Sequence, residues 1–291
     1  MNSIFQTILV FVSTVFLFSC GSPKENDTSA TTPAAAQPVD SPANSSSARP
    51  AHWGYEGEDG PDKWSSLSPA YNLCSEGKHQ SPVNIEKGTV TAGVNWKLDY
   101  KNSSIRIAHN EHMDEIIDNG HTIQITVDEG STFTFDGKSY ALKQFHFHTP
   151  SEHTLDGKHM PMEMHMVHQS ADGSLAVVGV LFKESAKPNE NFAKIISHLP
   201  NKKGESNHLK SDSISLQVHM PKDNFAYHYV GSLTTPPCSE NVQWLVLRDQ
   251  IGLSPDQIKA FSSRIGPNFR PTQPLNDRSI KLDDLKASVT Q

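Results

Sequence analysis

Three histidines have the side-chain type and the spacing of a metal site. His146 and His148 are two residues apart in a strand-like segment, and His165 lies in a second strand-like segment further along the chain. Because residues i and i+2 of an extended chain point to one face, His146 and His148 share a face, and His165 joins them if its segment folds back. Three neutral imidazoles with one open position are typical of a catalytic zinc. The spacing therefore predicts an enzyme that activates water.

Two polar residues on the same strands strengthen this interpretation. Gln144 is two residues before His146, and Glu163 is two residues before His165, so each shares a strand face with a candidate ligand. A metal-bound imidazole usually donates its other N–H to such a group, which fixes its tautomer. Since the chain holds 15 histidines, a single His-X-His would be weak evidence without these neighbours.

The first 20 residues are predicted to be an export signal. An apolar run from Ile4 to Phe18 is short for a membrane span and ends at Ser19-Cys20. The segment Leu17-Phe-Ser-Cys20 resembles the lipobox of bacterial lipoproteins, in which the cysteine is lipidated. We therefore expect location in the periplasm or cell envelope and a membrane anchor on Cys20. An ordinary cleaved signal or an uncleaved anchor are the alternatives.

The remainder divides by composition into a linker and one folded domain. Residues 21–50 are rich in Ser, Ala, Pro, Thr and Asn, and such a segment cannot bury enough apolar surface to fold. Residues 51–291 are long enough for a single large domain with a real core. The net charge of −7 is mixed along the chain without a basic stripe, so no nucleic-acid partner is expected.

Most of the folded part has the two-residue alternation of strands. Segments with this pattern, or with a short apolar run typical of a buried strand, include 121–128, 139–148, 162–168, 175–182 and 242–247. Helical patterns are few: one stripe of apolar residues at 191–199 and one capping box that starts at Ser254. This predicts a mainly β domain with short peripheral helices.

Several motifs together resemble the α-class carbonic anhydrases. They occur in the family's order and cover nearly all of the folded part, from Trp53 to about Pro274. The motifs are Trp53-Gly-Tyr55, Gln80-Ser-Pro-Val-Asn-Ile85, Asn119-Gly-His121, Gln144-Phe-His-Phe-His148, Pro150-Ser-Glu-His-Thr154, Glu163-Met-His-Met-Val-His168, Tyr229-Val-Gly-Ser-Leu-Thr-Thr-Pro-Pro-Cys-Ser-Glu240 and Arg270-Pro-Thr-Gln-Pro274.

The resemblance implies a fold, a cofactor and a reaction. The fold would be a central, twisted, mostly antiparallel sheet of about ten strands within a single domain. The cofactor would be Zn²⁺, held by the three histidines. The reaction would be the reversible hydration of carbon dioxide to bicarbonate and a proton, so the expected partners are these small molecules. It leaves the oligomeric state open, a homodimer included.

The resemblance also implies roles for individual residues. Thr234, with Glu152 behind it, would orient the attacking hydroxide, and His121 would carry the proton away. The residues matching the family's substrate pocket are Val167, Val177, Leu233, Thr235 and Trp244. Those matching its ordered water network are Tyr55, Asn119 and Gln124, and Gln124 stands where the best-known members have Asn. Thr149-Pro150 departs from the Trp-Gly of many animal members, in a loop that is shorter here.

Two cysteines remain once Cys20 is assigned to the signal. Cys74 and Cys238 lie far apart in a chain that is predicted to be exported, and such a pair is usually a disulfide, although two buried thiols are the alternative. They also match the cysteine pair of exported members of the family, which favours the disulfide.

Two other functions are compatible with the same motifs. Weak ester hydrolysis could take place at the same metal site. A binding or adhesion module of this fold that had lost its metal would belong to a different class. Loss of a histidine ligand would indicate such a module, but all three positions are filled here.

Overall fold

The computed structural model describes residues 51–92, 97–99, 102–103, 105–110, 122–135, 137–208, 214–216, 220 and 225–284. All belong to the second of the two units into which the chain divides, Ala48–Gln291. The predicted signal and linker, with Cys20, lie outside the described residues, as do Asn119 and His121. No helix in the described ranges has the length and apolarity needed to cross a membrane.

The described part is built mainly from strands. Those of the central sheet are β2 (Thr91–Ala92), β3 (Lys97–Asp99), β5 (Ile105–Asn110), β6 (Thr122–Val127), β7 (Thr132–Phe135), β8 (Lys138–His148), β11 (Met162–Ser170), β12 (Leu175–Glu184), β13 (Ser206–His208), β15 (Phe225–Ser232), β16 (Glu240–Leu247), β17 (Ile251–Leu253) and β18 (Lys281–Asp284). Two small sheets contain β1 (Asn84–Ile85), β9 (Thr154–Leu155) and β10 (Lys158–His159), and β4 (Asn102–Ser103) with β14 (Ile214–Ser215).

Ten of the 13 strands of the central sheet follow one order, β13-β5-β6-β8-β11-β12-β16-β15-β18-β2. β7 joins β3 to β8, and β17 pairs with β12. Only β12 with β16, β12 with β17, and β18 with β2 pair in parallel among the described ladders of this sheet. The predicted mainly β fold with a large, mostly antiparallel sheet is therefore confirmed.

Side-chain alternation explains how the sheet separates its core face from its site face. On β11 the methionines Met162, Met164 and Met166 are buried in the largest apolar cluster, together with Phe145 and Phe147 of β8. The histidines occupy the opposite parity of both strands. β12 is buried on both faces over Ala176–Phe182, as its continuous apolar run predicts.

Helices are short and peripheral, as predicted. They are α1 (Trp64–Leu67), α2 (Leu73–Glu76), α3 (Glu190–Ser197) and α4 (Pro255–Ile265). At the start of α4, Ser254 and Gln257 form a reciprocal capping box, which satisfies backbone N–H groups that have no partner within the helix. On α3, Phe192 and Ile195 are buried against the sheet cluster.

A disulfide joins Cys74 to Cys238, with an S–S distance of 2.06 Å, and so confirms the predicted pairing. Cys74 lies on α2, and Cys238 follows Thr234-Thr235-Pro236-Pro237 at the end of β15. The bridge thus ties the turn that carries Thr234 to the amino-terminal part of the domain.

Candidate metal centre

The register of β8 and β11 brings the three histidines together. His165 is the direct cross-strand partner of His146, and Glu163 that of His148. The ring centroids of His146 and His148 are 5.0 Å apart, and those of His148 and His165 are 4.5 Å apart. One ring nitrogen from each histidine lies within 4.8 Å of the other two, and all three residues are buried. Two strands and one antiparallel register are therefore sufficient to build the cluster.

Each histidine has one ring nitrogen engaged by the protein. His146 Nδ1 lies 2.9 Å from Gln144 Oε1, and His148 Nδ1 donates to the backbone carbonyl oxygen of Asn268 at 2.6 Å. His165 Nε2 lies 2.9 Å from Glu163 Oε1, so the two residues form an ion pair, although the contact does not meet the geometry of a hydrogen bond. The remaining nitrogens, Nε2 of His146, Nε2 of His148 and Nδ1 of His165, are left to bind an ion.

This donor set fits a zinc ion. The buried Nε2 of His148 has no hydrogen-bond partner among the described residues, which is costly unless an ion or water binds it. Metal-binding imidazoles must be neutral. Burial, and then the charges of His148 and His165, hold the pKa of His146 well below its usual range, and burial also lowers the pKa of His148.

The third histidine has a different electrostatic environment. Burial lowers the pKa of His165, but the Glu163 and Glu152 carboxylates outweigh this and raise it overall. Burial raises the pKa of Glu163, but His153 and His165 outweigh it and hold that pKa well below the usual range. Glu163 is thus an ionised acceptor beside His165, the arrangement that fixes a ligand tautomer.

Glu163 is itself held by the loop that follows β8. Its Oε2 accepts hydrogen bonds of 2.9 Å from the backbone N–H groups of Glu152 and His153, and its Oε1 accepts one of 2.7 Å from His153 Nδ1. His153, Glu163 and His165 also form a geometric metal group, but both ring nitrogens of His153 are already engaged. This group is therefore better described as a buried hydrogen-bond network.

Glu152 lies beside the free ring nitrogens. Its Oε2 is 3.6 Å from His148 Nε2 and 3.8 Å from His165 Nδ1, and its Oε1 accepts a 2.8 Å hydrogen bond from the backbone N–H of Arg270. Oε2 accepts no hydrogen bond in the described part of the chain, from Thr234 or any other residue. One carboxylate oxygen is thus fixed, and the other is available.

A cavity of about 40 Å³ lies over the histidines. Its lining includes Tyr55, Thr234 and all five residues assigned to the substrate pocket, namely Val167, Val177, Leu233, Thr235 and Trp244. Gln124 pairs with His146 in the β6–β8 ladder but does not line this cavity. Burial, and then the Glu152 charge, raise the pKa of Tyr55 well above its usual range, so Tyr55 is a neutral phenol.

Sequence reasoning assigned no role to several residues of the site. Thr122 also lines the cavity, and its hydroxyl donates to the carbonyl oxygen of Phe147 at 2.7 Å. Asn268 and Arg270 come from the segment after α4, far along the chain from His148 and Glu152, which they respectively contact. Alternation around His121 and Gln124 could have drawn attention to Thr122. Arg270 begins one of the family motifs but received no role from it, and no local pattern marks Asn268.

The Thr149-Pro150 departure also has a structural explanation. The Thr149 backbone N–H donates to Asn268 Oδ1 at 2.8 Å, and its hydroxyl donates to the carbonyl oxygen of Gly266 at 2.7 Å. The loop is therefore fastened to the same segment that orients His148.

Comparisons with known proteins identify the class. A family model described as eukaryotic-type carbonic anhydrase matches residues 59–283. The carbonic anhydrase of Pectobacterium atrosepticum is 41% identical over 230 residues, covering 79% of this chain and 90% of that protein. The carbonic anhydrase of Neisseria gonorrhoeae is 40% identical over 231 residues, covering 79% and 87%.

A solved structure agrees with these relatives. The α-carbonic anhydrase of Thermovibrio ammonificans, in complex with the inhibitor sulfanilamide, superposes with a TM-score of 0.73 at 39% identity, covering 79% of this chain and 99% of that one. The fold and the site thus define a carbonic anhydrase. The chain belongs to the eukaryotic-type, or α-class, family and is an enzyme of that family, as the sequence motifs predicted. Family membership implies the hydration of carbon dioxide.

Proposed function

We propose that this enzyme catalyses the zinc-dependent reversible hydration of carbon dioxide to bicarbonate and a proton. The observation that carries the proposal is the set of three free ring nitrogens, on His146, His148 and His165, beneath an apolar cavity. When bound, Zn²⁺ would lower the pKa of its water to about 7, the value known for carbonic anhydrase. Neutral imidazole ligands leave the charge of the ion uncompensated, which favours this effect.

Glu152 and Thr234 would orient the attacking oxygen. An ionised carboxylate only accepts hydrogen bonds. Because the Arg270 N–H occupies Oε1 of Glu152, the unpartnered Oε2 is the atom available to the Thr234 hydroxyl. A Thr234 hydroxyl that donates to Glu152 has only lone pairs left toward the cavity. It would therefore accept a hydrogen bond from the attacking oxygen and turn that oxygen's lone pair toward the substrate.

The substrate would lie against the apolar wall of the cavity. Val167 of β11 and Val177 of β12 are direct cross-strand partners, and Trp244 of β16 is the partner of Val177 on the other side. Leu233 closes the wall from the turn after β15. Such a wall offers no polar competitor for a small apolar molecule such as carbon dioxide, while Thr235 gives a polar contact for bicarbonate.

His121 would remove the proton that each turnover produces. An imidazole titrates near neutral pH and so suits a shuttle. The support comes from the next residue in the chain, because Thr122 lines the cavity. Tyr55 and Gln124, with Asn119, are proposed to order the intervening water.

We further propose that the protein is exported and anchored to a membrane through a lipid on Cys20. The disulfide supports export, because disulfides persist in oxidising compartments. Incorporation of a labelled fatty acid by the full-length protein, and its loss in Cys20→Ala, tests the anchor. Equal labelling of the two proteins would refute it.

Zinc analysis of the purified protein, combined with a carbon dioxide hydration assay, tests the catalytic proposal. We expect about one zinc per chain and hydration that sulfanilamide inhibits. A protein that held zinc but left carbon dioxide unhydrated would refute the proposed reaction.

A further inference from the structure

A buried series of polar contacts runs from the third candidate ligand to a tyrosine on β15, beginning with an ion pair and continuing through hydrogen bonds. His165 Nε2 lies 2.9 Å from Glu163 Oε1, to which His153 Nδ1 donates at 2.7 Å. The other nitrogen of His153, Nε2, shares a 2.7 Å hydrogen bond with the Tyr229 hydroxyl. That hydroxyl donates to Ser81 Oγ at 2.9 Å.

The other end of this series of contacts is the turn that carries Thr234. Ser81 Oγ accepts a 3.0 Å hydrogen bond from the backbone N–H of Ser232, and the Ser81 N–H donates to Ser232 Oγ at 2.9 Å. Ser232 in turn donates its hydroxyl to the carbonyl oxygen of Leu233 at 2.7 Å. The ligand His165 and the cavity-lining Leu233 are thus linked through one continuous set of contacts.

Burial makes this series of contacts stiff and sensitive to the loss of any one side chain in it. Ser81, His153 and Glu163 are fully buried, and Tyr229 is 2% exposed. Water therefore cannot replace a missing partner without opening the core, and an unsatisfied buried group costs about 1–3 kcal/mol. Burial also raises the pKa of the Tyr229 hydroxyl well above its usual range, which keeps its proton available for the hydrogen bond.

The surrounding residues are shaped around Ser81 and Tyr229. A Cβ atom at Gly231 would overlap Ser81 Oγ and would lie 2.7 Å from the Tyr229 ring. The Tyr229 ring also stacks on Trp244, with ring planes only 9° apart. These contacts leave the tyrosine one orientation, in which its hydroxyl lies between His153 and Ser81.

We propose that Tyr229 is a positioning residue for the third metal ligand. It does not line the cavity. It acts through His153, which it holds in the orientation that lets Nδ1 donate to Glu163, and Glu163 then fixes His165 with Nδ1 toward the metal. The inference rests on the proposed function, because it requires a metal at the three-histidine site.

The test is the zinc dissociation constant of Tyr229→Phe, measured in the full-length protein by competition with a chelator of known affinity. Groups that hold a metal ligand in place typically contribute a factor of 10 to 100 to metal affinity. We expect Tyr229→Phe to raise the zinc dissociation constant about tenfold. A purely structural role would leave this constant unchanged, even if the variant were less stable.

Two further variants sharpen the result. Tyr71→Phe is the matched control, because Tyr71 is also buried and its hydroxyl donates a 2.8 Å hydrogen bond to the carbonyl oxygen of Ala51. This bond is not part of the series of contacts between His165 and Leu233. It should leave zinc affinity unchanged. Glu163→Gln removes the charge through which Tyr229 acts, so adding Tyr229→Phe to it should change affinity less than twofold.

The outcomes separate the two proposals. Tight zinc binding by the wild type with an unchanged constant in Tyr229→Phe would overturn only the positioning role, as would equal losses in Tyr229→Phe and Tyr71→Phe. A wild-type protein that bound no zinc would overturn the proposed function and this inference with it.

Discussion

The backbone N–H of Arg270 donates a 2.8 Å hydrogen bond to Oε1 of Glu152. The side chain of the same arginine is buried and binds three oxygens: Gln80 Oε1 at 2.9 Å, the Ser81 carbonyl at 2.7 Å and the Cys74 carbonyl at 2.7 Å. Arg270 therefore connects the carboxylate beside the metal site to the amino-terminal segment and to the disulfide.

This relationship predicts that Arg270→Lys is strongly destabilising. An ammonium group cannot reach three oxygens from one position, and hydrogen bonds to charged groups contribute about 1.5–3 kcal/mol each. We expect the free energy of unfolding to fall by about 3 kcal/mol in urea titrations. Arg278→Lys is the control, since the more exposed Arg278 also binds three oxygens, all of them backbone carbonyls. Equal losses in the two variants would contradict the account.

The disulfide should contribute stability through the unfolded chain. It joins residues separated by 164 positions, and in the chain-entropy model closing so long a loop contributes up to about 5 kcal/mol, with 2–4 kcal/mol typical of measured bridges. We expect the double variant Cys74→Ser, Cys238→Ser to lose about 3 kcal/mol in urea unfolding under oxidising conditions. An unchanged urea midpoint would show that the bridge adds nothing.

His168 predicts a pH dependence of stability. Burial lowers its pKa from 6.5 to about 4, so the unfolded chain takes up a proton first as the pH falls. Between these values the unfolded state binds more protons, and stability declines toward acid. At about 1.4 kcal/mol per pKa unit, the full effect is roughly 3 kcal/mol.

Replacing His168 by leucine removes this titration. The quantity to measure is the free energy of unfolding of the wild type minus that of His168→Leu. Chelator is present in both samples so that metal loss does not contribute. This difference should fall as the pH drops from 6.5 to 4 and stay constant above pH 6.5. A difference that did not change with pH would contradict the burial argument.

Proton removal by His121 predicts a buffer-dependent defect. We expect His121→Ala to slow hydration in weak buffer by roughly ten- to a hundredfold, because general acid–base groups contribute at least that much. Added imidazole should restore the rate by carrying the proton itself. His112→Ala is the control, because His112 lies nine positions earlier in the sequence and has no assigned role. Equal rates in His121→Ala and the wild type would remove His121 from the mechanism.

The ligands of the site could be predicted from sequence because their geometry is local. The two-residue period puts His146 and His148 on one face of β8, and Glu163 and His165 on one face of β11. One antiparallel register then brings the two pairs together. The fold class followed from the same alternation, and the family motifs supplied the strand number.

The supports of the site could not be predicted in this way. Asn268 and Arg270 lie in an irregular segment, and their contacts depend on where α4 ends relative to β8, which no local pattern specifies. The hydrogen bond between Tyr229 and His153 likewise joins residues that are 76 positions apart. Alternation gives the face of a strand, whereas such contacts depend on the packing of the whole domain.

The proposed activity requires that His146, His148 and His165 together hold the zinc at which carbon dioxide is hydrated. The most direct measurement is metal content by mass spectrometry, paired with the hydration rate, for the wild type and for His148→Ala. We expect about one zinc per wild-type chain, and loss of both zinc and hydration in the folded variant. A folded His148→Ala that kept its zinc and its hydration rate would contradict the account.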